Sequence, residues 1–174
     1  MNIFWDRIIR ASKLDVSLYE EVEADPKTLG QAVWVVILSS VAAGIGGITT
    51  AGVNGIIFGT IGALIGWYVW ATLTYFIGAR LMPEPQTSST IGELLRTIGF
   101  SSAPGLIRIL AIIPGIANVV LAIAGIWMLI AMIIAVRQAL DYRSTFRAAG
   151  VCLIGWLVQM LILYGLYYLM GSPI

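Results

Sequence analysis

Arg108 is the one charged residue that this sequence places within a long apolar stretch. No acidic residue lies in any apolar run, so Arg108 has no obvious ion-pair partner. An arginine at the centre of a bilayer costs at least about 2.5–3.5 kcal/mol on insertion scales. Because the Pro114-Gly115 turn follows six positions later, the guanidinium could extend outward instead, as an interfacial anchor. Asn118, just after that turn, could reach it.

The functional alternative for Arg108 is contact with a lipid phosphate or another anionic ligand. The planar guanidinium fits such oxygen acceptors well. Ser101 and Ser102, together with backbone freed by Pro104, would add polar groups near it. The sequence therefore predicts a candidate lipid or anion contact formed by Arg108, Asn118, Ser101 and Ser102.

Catalytic chemistry is not supported by the residues in the apolar segments. Intramembrane hydrolysis needs paired carboxylates, a serine with a base, or metal ligands, whereas the predicted spans contain no Asp, Glu, His or Lys. The chain has no His and one Cys, Cys152, which excludes an internal disulfide and His-based or thiolate-cluster metal sites. We expect no enzyme, no metal and no cofactor, and a proton-coupled transporter is disfavoured for the same reason.

The composition indicates a helical membrane protein with several spans. Apolar residues make up 59% of the 174 residues and charged residues 11%, against about 25% charged in soluble domains. Mean hydropathy is +0.94. The formal net charge of +1 gives no reason to expect a nucleic-acid partner.

Five apolar segments predict an all-α, five-helix transmembrane bundle in a single domain, 1–174. The expected spans are about 30–48, 55–77, 94–113, 116–136 and 148–170, with a turn at 49–54 between the first two. Their lengths suit a hydrocarbon core of about 30 Å. In the third, Pro104 removes a backbone donor and predicts a break. Irregular backbone at membrane depth must be buried in protein or line a cavity, so we expect this span to be central.

Basic residues cluster at one set of segment ends, which predicts the orientation. By the positive-inside bias, the N-terminus and both charged loops face the cytoplasm, and the C-terminus faces the opposite side. The residues that carry this pattern are Arg7, Arg10, Lys13 and Lys27 before the first span, Arg80 and Arg96 between the second and third, and Arg137, Arg143 and Arg147 between the fourth and fifth.

Residues 1–25 predict cytoplasmic or interfacial helices. Residues 2–14 form a basic amphipathic helix, typical of a helix in the headgroup plane; the alternative is a helix packed on the bundle. Arg7, Arg10 and Lys13 would hold anionic headgroups at about 1 kcal/mol each. Capping boxes are predicted at Ser17-Glu20 and Thr90-Glu93, and Asp25-Pro26 as a helix start.

Gly55, Gly59, Gly62 and Gly66 lie on one face of the second span. Small residues at this spacing allow close helix approach in lipid. The contact could be intramolecular, against the small residues of the first span, or between subunits; the short connection favours the intramolecular one.

Several segments resemble the Yip (Ypt-interacting protein) family of small five-span membrane proteins, in its bacterial form. They are YEEVEADPKTLGQAVWVV, IGELLRTIGFSSAPGLIRIL, IWMLIAMIIAVRQAL and STFRAAGV. The positions that fit best are Tyr19, Pro26, Gln31, Ala32, Gly99, Ser101, Pro104, Arg147 and Ala148. The resemblance implies a five-span fold and a non-enzymatic role, in a bacterial cytoplasmic membrane. GTPase binding, associated with eukaryotic relatives, is not carried over, because the long cytoplasmic N-terminal region of those proteins has no counterpart here.

We expect a lipid- and protein-binding adaptor or accessory subunit of a membrane complex. Its partners would be membrane lipids and other integral membrane proteins. The alternative is a small channel or a lipid or solute transporter with a polar path near Arg108.

Overall fold

The protein is all-α, as the sequence predicts. A computed structural model gives the positions of residues 2–171, and of their side chains except at positions 163, 166, 167, 169 and 170. The C-terminal residues 172–174, whose side of the membrane the sequence analysis predicts, lie outside the described residues. The helices are α1 (Ile3–Ser12), α2 (Val16–Ala24), α3 (Leu29–Gly46), α4 (Ile48–Thr74), α5 (Ile91–Phe100), α6 (Ala117–Ala139) and α7 (Thr145–Gly171).

Three less regular segments complete the helical order. A 3-10 turn, Pro26–Thr28, leads into α3, and a π-helical turn, Tyr75–Leu81, extends α4. The 3-10 segment Ala103–Ile112 follows α5 and carries the chain to the Pro114-Gly115 turn. Within the described residues, five helical stretches are long and apolar enough to cross a membrane: Pro26–Gly46, Ile48–Leu81, Ile91–Ile112, Ala117–Ala139 and Thr145–Ile162.

The second stretch differs most from its expected bounds. It begins at Ile48 rather than near position 55, because the expected turn at 49–54 is helical apart from Gly52, whose φ is 62°. The chain reverses at Gly47, and the glycine at position 52 kinks the helix without breaking it. At its other end the π-helical turn carries the helix to Leu81.

The two ends of the bundle differ in character. At one end, hereafter the turn end, lie the tight connections at Gly47 and Pro114-Gly115. At the other, the loop end, the two longer loops bind each other: the amide of Gln86 donates to the Asp141 carbonyl at 2.9 Å, and the Arg143 backbone N–H donates to Glu84 Oε2 at 3.0 Å. Both loops therefore lie on the same side of the bundle.

The third stretch is the most enclosed, as expected for a broken span. In an 18-residue apolar part of this stretch, 61% of the residues are buried, against 6% in the corresponding part of the stretch that contains α4. Leu94 and Ile98 of α5 pack in one core cluster with Val136 of α6 and with Leu140, the residue that follows this helix. Phe100 joins a second cluster, shared with α1, α2 and α3. The broken element is therefore the centre around which the regular helices pack.

The N-terminal helices α1 and α2 form a pair that covers one side of this centre. Ile8 of α1 is buried in the second cluster, and the Trp127 indole of α6 donates to the Ser12 carbonyl at 2.8 Å. Trp5 and Ile9 remain exposed. The helix thus packs on the bundle through part of its apolar face, and its contact with headgroups through the rest stays a prediction.

The helix starts follow local side-chain chemistry. The Thr90-Glu93 capping box is confirmed: the Thr90 N–H donates to the Glu93 carboxylate at 2.8 Å, and the Glu93 N–H donates to Thr90 Oγ1 at 3.2 Å. Asp25 caps the next turn by accepting from the Lys27 N–H. The predicted Ser17-Glu20 box is wrong, because Asp15 is the N-cap of α2 and accepts from the Ser17 N–H at 3.0 Å.

Candidate functional site: an arginine crevice within the membrane span

The break between α5 and the 3-10 segment shapes the candidate site. The Ser101 hydroxyl donates to the Ile98 carbonyl at 2.7 Å, and the Gly105 N–H donates to the Ser102 carbonyl at 2.9 Å. These bonds satisfy backbone groups around Pro104, which has no N–H of its own. The chain continues in 3-10 geometry and presents Arg108 toward α3.

Arg108 is held by neutral acceptors. Its Nε donates to the Gly105 carbonyl at 3.0 Å, and its Nη2 donates to the carbonyl and hydroxyl of Ser39 at 2.9 and 2.8 Å. Across the part of the chain that the structure describes, no carboxylate forms an ion pair with it. The positive charge is therefore solvated by dipoles but has no counter-charge.

Two glycines allow the 3-10 segment to approach α3 this closely. A Cβ at Gly46 would collide with the Arg108 carbonyl oxygen, and a Cβ at Gly105 would collide with the Ser39 hydroxyl. Glycine at these positions leaves space for the backbone contact. The pair of glycines thus fixes the position of Arg108 against α3.

A cavity of about 240 Å³ opens beside the guanidinium. We call this cavity the Arg108 crevice. Its polar lining comes from α3, from the turn and 3-10 segment after α5, and from α7, and its apolar lining includes Trp67, Trp70 and two methionines. The polar lining residues are Ser39, Ser40, Ser102, Arg108 and Gln159.

The crevice adjoins two further cavities. One, of about 320 Å³, lies between α3 and α4 and shares Ser40, Ala63 and Arg108 with it. The other, of about 720 Å³, is strongly apolar and lies mainly between α6 and α7. We call the latter the α6–α7 groove; it shares Trp70, Met128, Met132 and Gln159 with the crevice.

Tryptophan side chains close the crevice toward the loop end. The Trp67 indole donates to the Leu95 carbonyl at 3.0 Å, and the Trp70 indole donates to Met132 Sδ at 3.2 Å. Buried Ile98 lies beside them. These side chains therefore form the wall of the cavity on its loop-end side.

The residues expected to accompany Arg108 are only partly brought together. Ser102 lines the crevice, but the hydroxyl of Ser101 is buried and bonds within its own turn. Asn118 is exposed and is not among the hydrogen-bond partners of Arg108. The guanidinium turns toward α3 rather than outward, because the 3-10 segment packs directly on that helix. Ser39 instead binds the guanidinium, and Gln159 lines the crevice. The sequence analysis predicted neither residue.

Of the three expected headgroup anchors, two are engaged within the protein. Arg7 is 7% exposed and donates to Glu21 at 2.8 Å and to Gln31 at 2.9 Å. Arg10 donates to Glu21 at 2.6 Å and to Asp15 at 2.9 Å. These bonds fasten α1 to α2 and to the start of α3.

Lys13 differs from the two arginines beside it. It is exposed, and no ion pair involves it in the described chain. Hydrogen bonds from Ser17 and Arg10 lower the pKa of nearby Asp15 to about 2. Glu21 of α2 and its N-cap Asp15 therefore supply partners of Arg7 and Arg10, whereas neither forms an ion pair with Lys13.

The glycine face of α4 makes no close contact with α3, although Gly55 and Gly59 line the cavity between the two helices. A Cβ at Gly59, Gly62 or Gly66 would meet no atom within 4 Å, and one at Gly55 would meet only Ala51 of the same helix. The close approach is made instead by Gly44 of α3, where a Cβ would lie 2.9 Å from Ile56. Close packing of these glycines on α3 is not seen, because α4 contacts α3 through Ile56 and a cavity lies beside Gly55 and Gly59. Packing of this face between subunits stays a prediction.

A second polar cavity, of about 530 Å³, lies at the loop end. Its acidic lining residues are Glu20, Glu23, Glu93 and Asp141, beside Arg137 and Arg143. Burial, and then the neighbouring carboxylates of Asp141 and Glu93, raise the pKa of Glu23 to about 7. The sequence reading missed this site, since its members come from three separate segments.

These features define an integral membrane protein built from five apolar helical stretches around a broken central element. A family model, Yip1 domain, matches residues 16–171. The chain belongs to the Yip family, as its sequence suggested. Comparisons with curated proteins and with solved structures give no match.

Proposed function

We propose that this protein is a non-enzymatic adaptor of the membrane that binds an anionic lipid headgroup and docks other integral membrane proteins. The observation that carries the proposal is the Arg108 crevice, where a guanidinium with only neutral acceptors faces an open cavity. The membrane would be the bacterial cytoplasmic membrane, with the loop end in the cytoplasm, where the basic residues accumulate.

The energetics of a buried cation support an anionic ligand. A guanidinium at membrane depth loses hydration, and carbonyl and hydroxyl dipoles offset part of that loss. A phosphate in the crevice would supply the missing counter-charge and accept charge-assisted hydrogen bonds. The hydroxyls of Ser40 and Thr60, which are 3.2 Å apart beside the cavity, add further polar atoms.

The outer surfaces of α4 and α7 support the docking of partners within the membrane. Phe58 and Ile65 of α4 are 70% and 60% exposed, and Leu161 of α7 is 70% exposed. The loops outside the spans are short, so a partner has mainly these lipid-facing helices to contact. Association in lipid relies on close packing, for which the open glycine face of α4 has the required small side chains.

The lipid-binding proposal is tested by lipid retention. The protein would be purified in mild detergent after reconstitution with equal amounts of phosphatidylglycerol and phosphatidylcholine, and the bound lipid would be measured by native mass spectrometry. We expect retention of phosphatidylglycerol to fall about tenfold or more in Arg108→Gln, since a hydrogen bond to a charged group contributes about 1.5–3 kcal/mol. Arg143→Gln, an exposed arginine at the loop end, is the matched control. Equal losses in the two variants would refute the proposal.

The linked cavities also favour a second candidate, a small channel or lipid or solute transporter whose path passes Arg108. The Arg108 crevice shares residues with cavities on both of its flanks, although Trp67 and Trp70 close it toward the loop end. Flux in reconstituted liposomes separates the two functions. Flux that Arg108→Leu abolishes would favour transport, and flux no higher than in empty vesicles would favour the adaptor.

A further inference from the structure

The α6–α7 groove has the shape and lining of an acyl-chain site. Its volume is about 720 Å³, and its walls are almost wholly apolar. The side chains that define it include Trp70 of α4, Leu129 and Ile133 of α6, and Cys152 and Trp156 of α7. Gly125, which has no side chain, lines the part of the groove nearest the turn end. A hydrocarbon chain is the occupant that such walls accept inside a bilayer.

The groove continues directly from the Arg108 crevice. Four residues line both cavities, among them Met128 and Gln159. A molecule in one cavity is therefore in contact with the walls of the other. One cavity presents an uncompensated cation and the other presents almost wholly apolar walls, so together they match a ligand with an anionic head and an apolar tail.

The direction of the groove matches the direction of a lipid in the bilayer. Arg108 lies about 10 Å from the turn end, counted along five residues of 3-10 helix. From that level the groove runs away from the turn end, from Gly125 to Ile133 on α6, which is about 12 Å of helix. A phospholipid in the leaflet at the turn end has its phosphate near that surface and its chains pointing toward the bilayer centre.

We infer that the Arg108 crevice and the α6–α7 groove form one site for an anionic phospholipid of the leaflet at the turn end, with the phosphate on Arg108 and one acyl chain in the groove. This inference rests on the proposed lipid-binding function and extends it. It assigns the groove to an acyl chain of the same lipid whose phosphate binds Arg108. It also distinguishes a lipid from a free phosphate, which would occupy the crevice and leave the groove empty.

The test is photocrosslinking in phosphatidylcholine vesicles. Wild-type protein would be reconstituted with a trace of phosphatidylglycerol that carries a diazirine in its acyl chain, irradiated, and digested for mass spectrometry. We expect crosslinks on 125–133 of α6 and on 149–156 of α7. Unlabelled phosphatidylglycerol should compete, and inorganic phosphate should not. Phosphatidylcholine with the same diazirine chain should crosslink there about tenfold less, because its choline cation offsets the phosphate charge that Arg108 would bind.

A groove-filling variant provides the second arm. A Cβ at Gly125 meets no atom within 4 Å, so Gly125→Leu places its side chain in the groove without a backbone clash. We expect groove crosslinks to fall about tenfold, as for an overpacked site. Gly62→Leu is the matched control, because Gly62 is exposed on α4, likewise meets no atom within 4 Å, and does not line the groove.

The outcomes separate this inference from the proposed function. Phosphatidylglycerol crosslinks that depend on Arg108 but map outside the groove would overturn the inference and leave lipid binding intact. Equal groove crosslinks from both lipids would also overturn it, since the groove would then accept any chain. Loss of the Arg108 dependence in the retention experiment would overturn the proposed function itself. Because the mapping uses wild-type protein, it holds even if Gly125→Leu fails to fold.

Discussion

The charged residues of α1 and α2 serve structure more than surface attraction. Arg7 and Arg10 lie three positions apart on α1, and both reach Glu21 of α2. Their partners come from an acidic run that follows on the next helix. Complementary charge on consecutive short helices was the signal available in the sequence, and it indicates helix pairing as readily as contact with headgroups.

Substitutions of Arg7 and Lys13 distinguish helix pairing from contact with headgroups. Arg7→Gln leaves Glu21 with one fewer donor in a partly buried setting, and we expect the protein to lose about 1–3 kcal/mol of stability. Lys13→Gln, which breaks no described ion pair, should leave stability within about 0.5 kcal/mol. Thermal unfolding in an uncharged detergent checks both. If the two variants unfold alike, Arg7 is a surface anchor and its pairing with Glu21 contributes little.

Arg96 and Glu23 show a second use of charge at the junction of α2 with the bundle. The buried Arg96 guanidinium donates to the Val22 carbonyl at 2.8 Å and also to the Glu23 carbonyl, near the C-terminal end of α2. A cation is favourable there because of the helix dipole. The Glu23 side chain, in contrast, faces the carboxylates of Glu20, Glu93 and Asp141.

The raised pKa of Glu23, about 7 against an ordinary 4.5, predicts a pH dependence of stability. In the folded protein the charged form is disfavoured, so this residue lowers stability as pH rises from 4.5 to 7. With allowance for its partial exposure to water, the effect is on the order of 1 kcal/mol. Glu23→Gln should therefore unfold at a higher temperature than wild type at pH 8, and the difference should vanish near pH 4.

Glu20→Gln is the control for that measurement. It removes an exposed carboxylate from the same helix and keeps the oxygen that accepts from Gln138. A pH-independent difference between Glu23→Gln and wild type would show that Glu23 does not titrate in this range.

At the scale of elements, the sequence predicts the helices and the break, but it does not predict which elements pack against each other. Apolar length predicted five spans, and Pro104 predicted the irregular segment, because both signals are local. Ser39 is 69 residues from Arg108, and no local pattern connects them. The glycines of α4 had a clear small-residue pattern, yet the close contacts are made by Gly44, Gly46 and Gly99 elsewhere. Spacing identifies a small surface, whereas the position of the partner decides whether it is used.

Two glycine substitutions test this distinction. Gly46→Ala adds a methyl group where the Arg108 carbonyl lies in contact with α3, so we expect separation of the two elements and a loss of about 1–3 kcal/mol. Gly62→Ala meets no atom within 4 Å and should be neutral or stabilising by up to about 1 kcal/mol. Unfolding midpoints in the same detergent compare them. A harmless Gly46→Ala would contradict the close packing of α3 on the 3-10 segment.

At the scale of the whole molecule, the loops at the loop end behave as one unit. The Tyr142 hydroxyl lies within hydrogen-bond distance of the Gly78 carbonyl (2.8 Å) and the Met82 carbonyl (2.7 Å), and Arg147 pairs with Glu84 at 3.4 Å. These contacts join the end of α4 to the start of α7. They require residues 83–90 and 141–147 to share one side of the membrane.

Cysteine labelling tests that topology. In a Cys152→Ala background, a membrane-impermeant maleimide should reach Ser88→Cys and Arg143→Cys from the same face, which we propose to be cytoplasmic. Thr49→Cys, at the turn end, should react only from the other face. Labelling of Ser88→Cys and Arg143→Cys from opposite faces would be incompatible with the fold.

The stretch Ile48–Leu81 has 34 residues, about 50 Å of helix, where a hydrocarbon core is about 30 Å thick. The neighbouring stretch, Pro26–Gly46, has 21 residues and fits that core upright. The long helix must slant or project beyond the acyl region, and its slant follows bilayer thickness. Because few of its side chains are buried against the rest of the protein, little resists such a change of angle. Lipid chain length is therefore expected to set how widely this helix leans away from its neighbours.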